Sequence, residues 1–253
     1  MSETTRLGPH RLETCRAGQG EQTVVLVHGW SCRAGQWADV LATPPEGVTL
    51  LAPDLPGHGA SRHIPLDSWT VTGLAEALVA ALEGIDKPIL VGHSMGGAVV
   101  LEAARRMPVA AVVLVDTFVI PYGDVDEETA RQIEQPFHAD FGAAMADLVE
   151  ANGGPHMNAP TRQALAEDMA ASPTDAMLPL WSDLLRWSPE AAFAELQCPL
   201  HAINGDLIGD VARARCEGRV TEWHLAGSGH FPQLDQPQAF RALFARVLDA
   251  VAG

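Results

Sequence analysis

The stretch Ile89-Leu90-Val91-Gly92-His93-Ser94-Met95-Gly96-Gly97 constrains this chain more than any other part of it. An apolar, β-branched run passes directly into a polar pair flanked by glycine, and then into residues 95–106, which read as a helix. Strand, sharp turn and helix therefore follow one another with no spacer. The glycines serve the turn. A Cβ at position 92 or 96 is expected to strike neighbouring backbone, and Ser94 between them is expected to hold a strained conformation. A chain organised around such a turn keeps its strands and helices in separate layers, which defines an α/β fold.

Further runs at 23–27, 48–52, 111–115 and 201–204 are aliphatic or β-branched with little polar alternation, as strands buried on both faces require. Residues 220–225 are strand-like. Helix-like stretches lie at 34–41, 69–82 and 237–251, the last with Phe240, Leu243, Phe244, Val247 and Leu248 at helical spacing. The alternation predicts a mostly parallel sheet flanked by helices. It breaks between Thr117 and Pro189, where 137–149, 160–171 and 175–187 look helical and no strand is evident. The expected organisation is one core built from 1–116 and 190–253, with a helical cap inserted at 117–189. Leaving after the run at 111–115, that insertion would rise from the carboxyl edge of the sheet, where open α/β folds place ligands.

Composition narrows the partners. With 32 acidic against 16 basic residues the formal net charge is −16, which disfavours nucleic acid and other polyanions. No apolar run reaches the length of a membrane span, and residues 1–20 lack the apolar core of a secretory signal, so the expectation is a cytoplasmic protein with no membrane partner. Cys15, Cys32, Cys198 and Cys216 lack paired spacing and read as reduced thiols, with no metal site. A small-molecule substrate is the expected partner; a homodimer is left open.

Ser94, exposed on its turn at a helix N-terminus, is the candidate nucleophile, and a serine hydroxyl needs a base within hydrogen-bond reach. His230 is the candidate, in the loop Gly227-Ser228-Gly229-His230-Phe231-Pro232 before the last helix. A carboxylate should orient its ring. Asp206, in Asn204-Gly205-Asp206-Leu207-Ile208, is assigned that part; Asp116, at the end of the run 111–115, is its rival and Asp210 a third candidate. The backbone N–H groups of Trp30 and Met95 would face an oxyanion. His28, His58 and His93 read as packed, structural histidines. Aromatic and methionine side chains of the insertion, among them Phe137, Met145, Met177 and Trp181, could line an apolar pocket.

Val27-His28-Gly29-Trp30, Asp54-Leu55-Pro56-Gly57-His58-Gly59-Ala60-Ser61, Gly92-His93-Ser94-Met95-Gly96-Gly97 and Gly229-His230-Phe231-Pro232 occur in this order, and with them the chain resembles the serine-nucleophile branch of the α/β-hydrolase superfamily. The resemblance implies an eight-stranded, mostly parallel sheet, Ser94 as nucleophile, His230 as base, Asp206 as acid, and Trp30 and Met95 as oxyanion donors. It also implies hydrolysis of a carboxylic ester or related acyl bond of a small to medium, apolar or aromatic substrate through an acyl-serine, with no metal or organic cofactor. Two alternatives stay open on the same fold. One is a cofactor-free dioxygenase or lyase using His230 as general base; the other is a ligand-binding or signalling protein with slow or no turnover.

Overall fold

In the computed structural model, which describes residues 3–252, the strand Gln22–Val27 sends Val24 and Leu26 to one side of a sheet and Val25 and Val27 to the other. Both sides are covered, so the two-residue alternation of side chains produces an unbroken apolar run rather than a striped one. The same holds at Ile89–His93 and Ala111–Val115, every residue of which is buried. The sheet has eight strands: β1 (Glu3–Leu7), β2 (Leu12–Gly18), β3 (Gln22–Val27), β4 (Val48–Pro53), β5 (Ile89–His93), β6 (Ala111–Val115), β7 (Leu200–Asn204) and β8 (Thr221–His224), in the spatial order β1-β2-β4-β3-β5-β6-β7-β8. β3 to β8 pair in parallel, while β2 runs antiparallel to β1 and β4. The residue pattern does not mark β1 and β2. They lie at one edge of the sheet and carry Glu3, Arg6, Glu13 and Arg16, so they lack the continuous apolar signature of the central strands.

One layer of helices contains α1 (Ala38–Ala42) and the final helix Pro237–Ala252; its core is formed by Trp37, Val40, Phe240, Phe244 and Val247 against Val24, Leu26, Val91 and Val113. The opposite layer contains α2 (Val71–Ala81) and α3 (Met95–Ala104), which pack Leu74, Leu78, Val99 and Leu101 with Val25, Leu90, Val112 and Leu114.

Between β6 and β7 the chain forms α4 (Glu127–Ala139), α5 (Phe141–Asn152), α6 (Ala159–Ala170), α7 (Thr174–Arg186) and α8 (Glu190–Glu195). The single helix expected over 137–149 is in fact the meeting of two. Asp140 breaks it: its backbone is extended at φ −153°, its N–H closes α4 on Pro136 O, and its side chain accepts from Ala143 N at 3.0 Å to start α5. α4 itself begins at Asp126, whose carboxylate accepts from Thr129 N at 2.7 Å. The remaining helices are the short α9 (Asp210–Cys216) and α10 (Pro232–Asp235), and the final helix, α11 (Pro237–Ala252).

The insertion is fastened to the sheet through Trp30, just beyond β3. Its indole stacks on Trp181 of α7 at 4.4 Å and 12°, meets Phe137 of α4 edge-on at 5.0 Å, and donates its Nε1–H to Met177 O at 3.0 Å. Large aromatic surfaces and one satisfied polar tip make this a stable junction between the sheet edge and the helices. Because Asp140 acts only as a cap, Asp140→Ala is expected to destabilise the fold by about 0.5–2 kcal/mol. Urea unfolding should show it as a lower midpoint.

Candidate active site

Ser94 ends β5 and begins α3 at φ +52°, a region costly for a residue with a Cβ. Two neighbours make that conformation attainable. A Cβ on Gly96 would stand 2.6 Å from the carbonyl oxygens of Val27 and His28, and one on Gly92 would overlap the carbonyl of Gly96. The Ser94 N–H donates to Val115 O at 3.0 Å, so the turn is tied to the adjacent strand.

Register then decides which carboxylate lies beside Ser94. β5 and β6 pair with His93 opposite Val115, so the next residues out, Ser94 and Asp116, emerge side by side at the carboxyl edge. Asp116 also has positive φ, +47°, and is wholly buried. Its Oδ1 accepts from Gly205 N at 2.8 Å, and its Oδ2 accepts from His230 Nδ1 at 2.8 Å. On the other side of the ring, the Ser94 hydroxyl donates to His230 Nε2 at 3.0 Å. The tautomer with the proton on Nδ1 is the one this network requires.

The structure thus brings Ser94, His230 and Asp116 into one hydrogen-bonded chain and leaves the assigned acid, Asp206, outside it. Asp206 is exposed and is occupied elsewhere: its oxygens accept from His224 Nε2 at 2.8 Å and Gly227 N at 2.9 Å. It braces the loop that carries His230. Gly205, its neighbour, supplies the second bond to Asp116, so the turn after β7 supports that carboxylate from its backbone. Asp210 begins α9 and makes no hydrogen bond to His230 among the described residues. The sequence signal for Asp116 was a carboxylate directly ending a fully apolar strand, where only a buried partner can repay its desolvation.

Trp30 lies in the loop after β3, and Met95 directly follows Ser94 at the start of α3. Both backbone N–H groups are left without a backbone acceptor among the described residues. Gly29 lets the loop after β3 approach the sharp turn at residues 92–96, the elbow, since a Cβ there would stand 3.3 Å from Ser94 Cβ.

A cavity of about 110 Å³ opens beside Ser94 and His230, walled by Trp30, Val119, Ile120, Leu148, Met169 and Trp181. No Asp, Glu, Lys or Arg side chain lines it. Cys32 also lines it, but burial pushes its thiol up to about 12, which leaves it protonated and unreactive at neutral pH. No group of three or more His, Cys, Asp or Glu side chains among the described residues could hold a metal ion, and no described helix is long and apolar enough to cross a membrane.

Three buried histidines pack under the site. His28 donates its Nδ1–H to Gly29 O at 2.9 Å and accepts from Leu55 N at 3.1 Å, and its ring lies 4.9 Å from that of His58. His58 donates its Nδ1–H to Pro56 O at 2.9 Å. His93 donates its Nε2–H to the carbonyl of His230 at 2.7 Å, holding that residue's backbone. Desolvation lowers His28 to about 4, and His58 and His93 to about 3.

The model of the alpha/beta hydrolase family matches residues 24–243, and the chain belongs to that family. Lipase LipV of Mycobacterium tuberculosis is 34% identical over 183 residues, 66% of this chain and 68% of the lipase. The pimeloyl-(acyl-carrier protein) methyl ester esterase of Aromatoleum aromaticum is 37% identical over 98 residues; the match spans 37% of this chain and only 36% of that enzyme. Among solved structures, a bromoperoxidase from Bacillus anthracis superposes with a TM-score of 0.80 at 17% identity, covering 100% of this chain and 99% of its own, which establishes likeness of fold. Family membership and the ester-acting relatives support a hydrolase.

The buried histidines also set a pH limit on the fold. Each binds a proton in the unfolded chain near pH 6.5 but resists it in the native state until about 4 or 3. Within that window the unfolded state holds more protons, so their contribution is fully present above pH 6.5 and is lost as the pH falls. The denaturation midpoint should therefore drop steadily from pH 6.5 to pH 4, and less steeply in His58→Asn, whose amide can replace the bond to Pro56. An equal slope in the two proteins would count against this origin.

Proposed function

We propose that this chain is a serine hydrolase that cleaves carboxylic esters or related acyl bonds through an acyl-serine intermediate. The observation that carries the reading is the continuous chain Ser94 Oγ, His230 Nε2, His230 Nδ1, Asp116 Oδ2, with links of 3.0 and 2.8 Å. A hydroxyl already bonded to an imidazole can lose its proton as it attacks a carbonyl carbon. The proton passes to His230 Nε2, and buried Asp116 stabilises the imidazolium and keeps the ring aligned. The tetrahedral oxygen would lie against the N–H groups of Trp30 and Met95, donors without other work whose attraction strengthens as negative charge develops. His230 then protonates the leaving alcohol; in the second half it takes a proton from the water that attacks the acyl carbon and returns it to Ser94 Oγ as the acyl–oxygen bond breaks and the carboxylic acid departs.

The helices between β6 and β7 act in this reading as a cap. They supply Leu148, Met169 and Trp181 to the cavity, with Tyr122 and Asn152 as polar neighbours, so the substrate meets mostly apolar walls and no fixed charge beyond the site itself. A small, uncharged, apolar or aromatic acyl group suits that lining; a free carboxylate would enter without a cation to pair with. The ester-acting relatives support this choice of bond. The direct Ser94–His230 bond favours the nucleophilic route over one in which His230 acts as base and Ser94 only positions substrate.

A fluorophosphonate probe read by intact mass is expected to label the wild-type protein once and Ser94→Ala not at all. Persistent ester turnover by Ser94→Ala would overturn the mechanism. The two aspartates separate in a second experiment. Asp116→Asn should lower kcat on the order of 10⁴-fold, the loss expected when the ring is held in the wrong tautomer. Asp206→Asn should retain most of the wild-type kcat, and the reverse ranking would restore Asp206 as the acid.

A further inference from the structure

The reaction as derived uses Ser94, His230 and Asp116, but the backbone around His230 is held by a second set of contacts centred on a carboxylate that the reaction does not touch. Asp235, the last residue of α10, is buried, with 3% of its surface exposed. Its Oδ2 accepts from the N–H of Gly229, the residue before His230, at 3.1 Å. Its Oδ1 accepts from the N–H of His156, in the turn between α5 and α6, at 2.8 Å. The same turn reaches the histidine a second way: His230 N donates to the carbonyl of Asn152, which ends α5, at 2.7 Å.

The packing leaves no slack. Gly154 sits at φ +83°, and a Cβ there would overlap the Asp235 carboxylate. A Cβ on Gly229 would stand 2.5 Å from Asn152 O. Each partner that Asp235 is seen to bond is a backbone N–H, one from the histidine loop and one from the insertion. Burying a carboxylate is costly unless its bonds are well made. Here those bonds join two segments far apart in sequence. Asn152 also lines the cavity, so the segment that grips His230 is in contact with the space the substrate would fill.

We propose that Asp235 is a positioning residue for His230, tying its loop to the helical insertion so that the base is aligned with Ser94 only while the insertion is docked. The proposal rests on His230 acting as the base. It makes the insertion part of the catalytic geometry as well as the wall of the pocket. A loop released from Asp235 keeps Ser94, Asp116 and the cavity intact but lets the imidazole drift, and a displacement of about 1 Å at a reacting group costs on the order of 100-fold in rate.

The test is Asp235→Asn in the full chain. The amide keeps the shape but turns one acceptor into a donor facing a backbone N–H. Fluorophosphonate labelling of the wild type comes first; a wild type that is not labelled defeats the reading of Ser94 and His230 and with it this proposal. Given labelling, the folded variant is expected to lose about 10- to 100-fold in kcat and in labelling rate. KM and the inhibition constant of the carboxylic acid product should stay within about twofold, because the cavity is unchanged in this argument. The downfield proton resonance of His230 Nδ1–H should weaken or broaden. Asp235→Ser, a smaller neutral acceptor that fits beside Gly154, should show the same split if the asparagine variant does not fold. Unchanged kcat in both variants, with the downfield proton intact, would overturn the proposal. So would a loss shared equally by kcat, KM and product binding, since that is the mark of general unfolding.

Discussion

Ser94 is held at φ +52°, and a backbone in that region costs on the order of 1–3 kcal/mol unless its surroundings over-determine it. Much of this protein can be understood as those surroundings. Gly92 and Gly96 remove the Cβ atoms that would collide with the turn, β5 lies in the sheet interior with every residue buried, and the Ser94 N–H is bonded to β6. The strained turn lifts the hydroxyl above the sheet edge and points the start of α3 at the same place. A relaxed turn would lay Ser94 along the strand or into the helix, and neither arrangement presents it to His230.

The strain is repeated one strand over. Asp116 at φ +47° and Ser94 are the first residues beyond a paired position of β5 and β6, so the two unusual backbones lie next to each other and are stabilised by a shared set of bonds. Asp116 receives N–H groups from the turn after β7 and from the imidazole, while Asp206 has been drawn away to His224 and Gly227. Division of labour between the two carboxylates follows from burial. The buried one is sheltered from water and holds its partner strongly; the exposed one shares its charge with solvent and serves as a loop brace.

Trp30 gives the helical insertion a defined seat. The residue proposed as one oxyanion donor also carries the indole on which Trp181, Phe137 and Phe141 assemble. Aromatic packing above and the glycine-permitted approach of Gly29 below hold this loop from both sides. The lining that results is mostly apolar and uncharged, and electrostatic interactions beside it act through a lower dielectric than at the surface.

Local residue chemistry carried the sequence reading a long way. The central strands are apolar because both faces are buried, the elbow needs its glycines, and Ser94 and His230 stand in motifs whose residues have few other uses together. Those features are local, so the order of residues alone determined them. The edge strands β1 and β2 escaped notice because exposure lets them carry charge, and the break at Asp140 was masked by helical residues on either side of it. Which aspartate meets His230 was not local at all. Asp116 directly follows β6 and Asp206 lies two residues beyond β7, both at the carboxyl end of a strand, and the register of β5 against β6, with the turn after β7 folded over Asp116, decided between them. The sequence by itself determined which chemistry the chain could carry; the tertiary structure alone decided which carboxylate joins it, because that choice depends on distances between strands that the sequence keeps about ninety residues apart.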